Sequence, residues 1–417
     1  MRALFLAVAL VATSAAMAQE TTVEGLLAEA AKAAERAQDP QSRALCMADI
    51  ATVWHGRNPT RYEDAVARAL DYAVAERTEM GSALALRSVA RRISAVDPAR
   101  AAQTLEMALA IAGELKGPLQ RTVVLRELTA LAAALGHPSS QDLASGALEA
   151  ARALDDDLLK TAALRDLAVT LAPIDAALAA ETFREAAGVV RAIPLRDAGA
   201  DLARVELAAA WAITDFAAAR PLVDEVAQAQ GQTTALAALA VALASARPDA
   251  ALALAQELPD GPHRAAVIAA AAAELRGEGV EAAGVLAEAA LSALGDQKGE
   301  TADRARLDAA AALAALDPAR ARETVLAIES EELRNEGLAE VALRAATTNP
   351  DAAIDLLNSI DDPGTVEPVL AEIACRIAHA SPDRAVEIGR SLLSRQLRSQ
   401  VLVAVARALA ANGTIAP

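Results

Sequence analysis

The chain has 417 residues, with 56 acidic side chains against 39 Lys and Arg and a formal net charge of −17. An acidic surplus of this size repels phosphate backbones and anionic lipid, which argues against a nucleic-acid partner. Two cysteines, Cys46 and Cys375, are too few for a disulfide scaffold, and a chain this long can bury a core without one.

The first segment reads MRALFLAVALVATSAAMAQETT. Arg2 supplies a positive start, Leu4 to Ala12 an apolar stretch, and Ala16-Met17-Ala18 a small-x-small cleavage signal. This pattern predicts a secretory signal peptide over 1–18, cut after Ala18, and a periplasmic or secreted mature protein. No membrane span is expected beyond it. The most apolar later run, 233–246, is mostly Ala and stops at Arg247-Pro248, short of the ~20 residues a span needs.

From residue 19 onward the sequence repeats itself. Asn-Pro-Asp-Ala-Ala at 349–353 returns as Ser-Pro-Asp-Arg-Ala at 381–385. With Pro or a stand-in as marker, the repeats fall at Pro59, Pro98, Pro138, Pro173, Phe216, Pro248, Val280, Pro318, Pro350, Pro382 and Thr414. The first half, 19–215, has longer units, and 216–414 mostly 32-residue ones, all within one repeat domain, 19–417. Fixed-period self-similarity of this length is the mark of a stacked helical array.

Each marker predicts a helix start. Asn58, Asp97, Asp317, Asn349 and Ser381 stand as N-caps before Pro at the first helical position. A second helix precedes each marker. Eight residues before it Ala recurs in ten of eleven repeats, from Ala51 to Ala406, with Arg165 the exception. A small side chain held at one helical position lets two axes approach closely. No period-two alternation suggests strand. The expected fold is therefore all-α, a right-handed α-solenoid of about eleven helical hairpins.

The pattern resembles the tetratricopeptide repeat family. Leu338, Val341, Ala342 and Ala345, and again Leu370, Ile373, Ala374 and Ile377, match its first-helix signature, and Ala353 and Ala385 its small second-helix residue. Short HEAT-like repeats fit almost as well. Either resemblance implies a solenoid that acts as a protein-binding scaffold through an extended surface.

Few side chains point to chemistry. Trp54 and Trp211 occupy core positions of the repeat. Cys375 and His379 stand one helical turn apart, but a closed zinc site needs four ligands and no second pair lies near. There is no nucleophile motif or phosphate loop, so no catalytic residue, cofactor or metal is expected. Arg264, Arg334 and Arg398 open helices where the dipole disfavours them, and are expected to clamp back onto the preceding helix end.

Three departures from the repeat draw attention. Arg87, Arg91 and Arg92 cluster on one helix of an acidic chain, as a contact for an anion or an acidic partner. The polar stretch 293–304 lengthens one repeat, either as a neutral insertion or as a loop projecting on a functional face. The last helix carries Arg407 alone in its final part, so Val401 and Val405 are expected to dock on a second copy, giving a homodimer through the C-terminal helix. The resulting expectation is an exported, non-enzymatic scaffold for a protein or peptide. A cell-envelope glycan-binding module and an enzyme with a site spread over repeats are the alternatives.

Overall fold

The computed structural model describes residues 22–194, 198–226, 229–275, 280–346, 349–360 and 362–412. The signal-peptide segment 1–18 and the marker Thr414 lie outside them. The described residues form helices and connecting turns, with no strand. In chain order the helices are α1 (Val23–Glu35), α2 (Pro40–Trp54), α3 (Pro59–Val74), α4 (Glu79–Ile93), α5 (Pro98–Glu114), α6 (Pro118–Ala134), α7 (Ser140–Arg152) and α8 (Asp157–Leu171). Then come α9 (Ala176–Ala192), α10 (Ala198–Ala212), α11 (Phe216–Asp224), α12 (Ala229–Ala244), α13 (Pro248–Ala255), α14 (Pro262–Leu275) and α15 (Val280–Leu294). The rest are α16 (Glu300–Leu313), α17 (Pro318–Leu326), α18 (Glu331–Ala345), α19 (Pro350–Leu357), α20 (Pro363–Ile377), α21 (Pro382–Ser391) and α22 (Arg395–Asn412). Even-numbered helices precede a marker and are called A helices; odd-numbered ones are B helices. The chain divides into two compact units, 1–147 with 346–417, and 148–345.

The capping chemistry operates as the sequence implies. Asn58, Asp97, Asp317 and Asn349 accept from the backbone N–H three residues on, at 3.1, 2.9, 3.0 and 3.1 Å. Ser381 does not: its helix starts at Pro382 without a side-chain cap. Two markers are displaced. Asp175, not the residue before Pro173, caps α9, and Pro173 lies in the preceding turn. Measured from the true helix starts at 176 and 140, the close-approach position falls on Ala168 and Ala132, both fully buried. The Arg165 exception thus disappears, because the chain counts from its cap and not from its proline.

Unequal repeat length resides in the B helices. In 32-residue repeats they span 8 to 10 residues, as in α13, α19 and α21. In the longer early repeats they reach 16 and 17, as in α3, α5 and α9. The polar stretch 293–304 is corrected on the same ground. The extra residues extend α15 to 15 residues, and only 295–299 connect it to α16. Lys298 there is ion-paired to Glu329, so no long loop projects.

The arginine clamp recurs at a fixed offset. Arg43, Arg334 and Arg398 each donate to the carbonyl six residues back, those of Ala37, Ile328 and Leu392, at 2.8, 3.0 and 2.6 Å. Gln232 does the same to Val226 at 2.9 Å. Arg264 reaches the Asp260 carboxylate instead, at 2.6 Å. Each clamp satisfies a carbonyl that the end of a helix leaves open, which offsets the unfavourable placement of a cation in a first turn.

Within the first unit the two ends of the chain complete one hairpin. Among the described residues helix α22 is an A helix with no B helix after it, and α1 is a B helix with no A helix before it. They pack on each other more extensively than the hairpin partners α10 and α11 do. Arg390 on α21 binds Glu29 on α1 at 2.9 Å, the type of link that Arg384 on α21 makes to Asp351 on the neighbouring B helix α19. The Arg395 and Arg57 guanidiniums donate to the carbonyls of Arg36 and Ala410, at 3.0 and 2.7 Å. The Ser42 hydroxyl bonds the Gln396 side chain at 2.8 Å.

This closure corrects the docking expectation for the last helix. Val401 and Val405 are both 0% exposed, covered within the chain, and present no surface to a second copy. The contact is tight: a Cβ on Gly389 of α21 would meet the Val401 Cγ1 at 2.7 Å.

Two stability outcomes follow. Leu27→Asp in α1 and Leu402→Asp in α22 should each cost roughly 3–5 kcal/mol, since both side chains are fully buried. Urea midpoints test this; near-silent variants would show frayed, unjoined ends. Gly389→Ala should lose about 1–3 kcal/mol to overpacking, whereas Gly188→Ala, on an open face of α9, should gain about 0.5–1 kcal/mol.

Candidate functional site

The A helices of the first unit lie side by side in the order α20, α22, α2, α4, α6, the contact of α22 with α2 being the one that joins the first and last hairpins. Their outward face carries residues about 14, 10, 7 and 3 positions before the next helix start, a spacing that keeps to one side of a helix. For α22 the count is taken from the sequence marker Thr414, which lies outside the described residues. On this face Asp49, Arg92, Cys375, His379, Gln400 and Arg407 line a pocket of about 380 Å³. Four helices supply five of the side chains and the turn after α20 supplies His379; α2 and α4 lie about 270 residues or more from α20 and α22 along the chain.

Asp49 is the buried member, its side chain 8% exposed. Arg92 Nη1 donates to both of its oxygens, at 2.9 and 3.1 Å. Burial pushes the Asp49 carboxyl up from the usual carboxylate range, and the Arg92 and Arg407 guanidiniums oppose that rise. Arg407 Nη2 donates to the Thr52 hydroxyl at 2.9 Å, both residues standing seven before their repeat boundary. Among the described residues no carboxylate comes within ion-pair distance of Arg407.

The thiols of this unit are poor nucleophiles. Burial, reinforced by the negative charge of Glu372, pushes Cys375 up to about 11. Burial likewise raises Cys46 to about 11. Both stay protonated at neutral pH. The chain ends do meet, and the two cysteines stand on either side of α22, yet both are free thiols. Among the described residues no group of three or more His, Cys, Asp and Glu side chains is arranged to hold a metal ion.

The three arginines singled out in the sequence have separate fates. Arg92 joins the pocket. Arg87, five residues earlier on the same helix and turned towards the opposite neighbour, is ion-paired to Glu127 of α6. Arg91 is exposed. Asp49, Gln400 and Arg407 went unrecognised as a group because nothing in the linear order relates α2 to α22; the lone charge at Arg407 was the available signal. Trp54 and Trp211 are core residues, 8% and 5% exposed, and Trp211 stacks on Phe183 with centroids 5.6 Å apart. The helix-face pairs Glu340–Arg344 and Glu372–Arg376 form, the second at 3.0 Å.

In the second unit four of the same A-helix positions are apolar and open. Val169 and Val241 stand seven before the next helix start, Ile213 three before and Leu202 fourteen before, and all four are exposed. Other positions of that face are Ala or charged, and the pairs Arg165–Glu206 and Arg304–Glu336 lie there.

No protein-family model matches the chain, and no curated protein matches it. Among solved structures, the crystal structure of Ton1535 from Thermococcus onnurineus NA1 aligns over 77% of this chain and 99% of its own, at 18% identity and a TM-score of 0.39. Among the described residues no helix is long and apolar enough to cross a membrane.

The Asp49–Arg92 pair gives a pH-dependent outcome. A buried carboxyl with a raised pKa favours folding most below its unfolded value, about 3.8, and loses that contribution as pH rises through its folded value. Arg92→Ala removes the nearest opposing charge. Its cost should be small at pH 4 and grow to about 1–3 kcal/mol at pH 7, below that of a fully buried pair because Arg92 remains hydrated. Asp49→Asn in the same chain should restore most of the loss. Urea midpoints of the four-variant cycle at both pH values check this.

Proposed function

We propose that the chain is an exported, non-enzymatic interaction scaffold that holds a protein or peptide partner along the outward face of its A helices. One observation carries this reading: that face is where each unit leaves its non-repeating side chains uncovered. In the first unit they are the polar groups around Asp49, Arg92 and Arg407. In the second they are Val169, Leu202, Ile213 and Val241. On the B-helix side the repeats are linked by ion pairs such as Arg152–Glu185 and Arg320–Glu288, and the exposed apolar side chains there, such as Val285 and Leu326, stand on separate helices. Export rests on the segment 1–18, whose charged start, apolar stretch and Ala-x-Ala end are those of a cleaved leader. In repeat scaffolds of this kind, affinity is spread over several repeats, so single substitutions weaken binding in steps.

Capture from envelope extract by the immobilised mature chain, at low and moderate salt, tests the reading. A stoichiometric partner should be retained by the parent chain and by Leu326→Asp, an exposed substitution on B helix α17. It should be lost from the double variant Leu202→Asp, Val241→Asp. A partner indifferent to the A-face variant, or no partner above background, would sink the proposal.

A further inference from the structure

We infer that the pocket between α2, α4, α20 and α22 is a carboxylate-binding site, the anchor for an acidic group on the partner's peptide chain. This deepens the scaffold reading and rests on it. The inference starts from charge. Two guanidiniums, Arg92 and Arg407, stand about one carboxylate, Asp49, in a chain whose formal charge is −17. Arg92 is neutralised by its contact to both Asp49 oxygens. Arg407 is held by a neutral hydroxyl alone, so one full positive charge is left over.

Most arginines of this protein meet acidic partners. Arg68, Arg152, Arg191, Arg220, Arg320 and Arg390 all sit on a Glu of an adjacent helix. Acidic residues outnumber basic ones, and among the described residues Asp49 is the one carboxylate lining this pocket and is already bonded by Arg92, so Arg407 stands there without an ion-pair partner of its own.

The neighbouring groups fit a planar monoanion. Gln400 offers amide donors and His379 a ring nitrogen, and both line the pocket with Arg407. A guanidinium accepts a carboxylate through two parallel N–H donors, which an isolated ammonium cannot do. A phosphate dianion suits the site less well, because the Asp49 carboxylate stands in the same pocket and would repel the second charge. The pocket is open on one side and measures about 380 Å³, enough for the end of an Asp or Glu side chain or a chain-terminal carboxylate, with the rest of the peptide lying across the A helices.

The site also depends on the closure of the chain. Asp49 and Thr52 come from α2 and Gln400 and Arg407 from α22, so the half-sites meet only when the first and last hairpins join.

The test uses the full mature chain and short synthetic peptides followed by calorimetry. One probe is an acetylated, amidated alanine pentapeptide with a central glutamate. A second carries glutamine there, and a third is all alanine with a free C-terminal carboxylate. The glutamate peptide should bind at least ~10-fold more tightly than its glutamine counterpart, the difference one charge-assisted contact supplies. The third peptide shows whether a chain terminus serves as well as a side chain.

Arg407→Gln should abolish the preference and His379→Ala or Gln400→Ala weaken it several-fold, while Arg184→Gln, an exposed arginine of the second unit, should leave it intact. Acetate should compete better than inorganic phosphate. The inference is overturned by equal binding of glutamate and glutamine peptides, by a preference that survives both Arg407→Gln and Gln400→Ala, or by phosphate competing better. Absence of any binding up to about 10 mM peptide, above the millimolar range of a single anchoring contact, overturns it as well. Partner capture that persists without the carboxylate preference separates this failure from failure of the scaffold reading.

Discussion

A helical hairpin has one apolar face too many, and in a stacked array each hairpin covers the face its neighbour leaves open. The last one has no successor. Here α22 would expose Val401, Leu402 and Val405, and the chain covers them with its own first helix, so α1 serves as the B helix that α22 lacks. The contact is as extensive as an ordinary hairpin and is stitched by the ion pair Arg390–Glu29 and by arginine-to-carbonyl bonds in both directions. Terminal repeats normally answer the same problem with a polar outer face. This chain answers it with burial.

That choice has a functional consequence within the first unit. Joining α22 to α2 brings Arg407 beside Thr52 and both beside Asp49, making the pocket a product of closure. The close packing around α22 is supplied by small residues: Gly389 of α21 under Val401, and the buried Ala at each A-helix crossing. Ala contributes little burial apiece, and the fold compensates by number and by lateral arginine–glutamate links between successive B helices.

Much of the fold was legible because its determinants are local. Caps, the proline that follows them, the period of the small residue and the arginine clamp act within about ten residues, and each was readable at Asp97, Asp317, Asn349, Arg334 and Arg398. Two misreadings have local causes too. Pro173 sits in a turn, not at a helix start, and the polar stretch after Leu294 follows an elongated helix, because a proline or a polar run is ambiguous without its cap. The candidate site was legible in fragments only. Arg92 stood out by charge and Arg407 by isolation, but Asp49 resembled any other carboxylate on an acidic chain.

The sequence by itself determined the helices, their pairing and the repeat, since these depend on backbone capping and on side-chain periodicity over one or two turns. Only the tertiary structure decided which helix covers α22, that Val401 and Val405 are interior, and that Asp49, Arg92, Gln400 and Arg407 share one pocket. Those outcomes depend on contacts across more than 300 residues, and no local periodicity records how many repeats bring the two ends of a chain together.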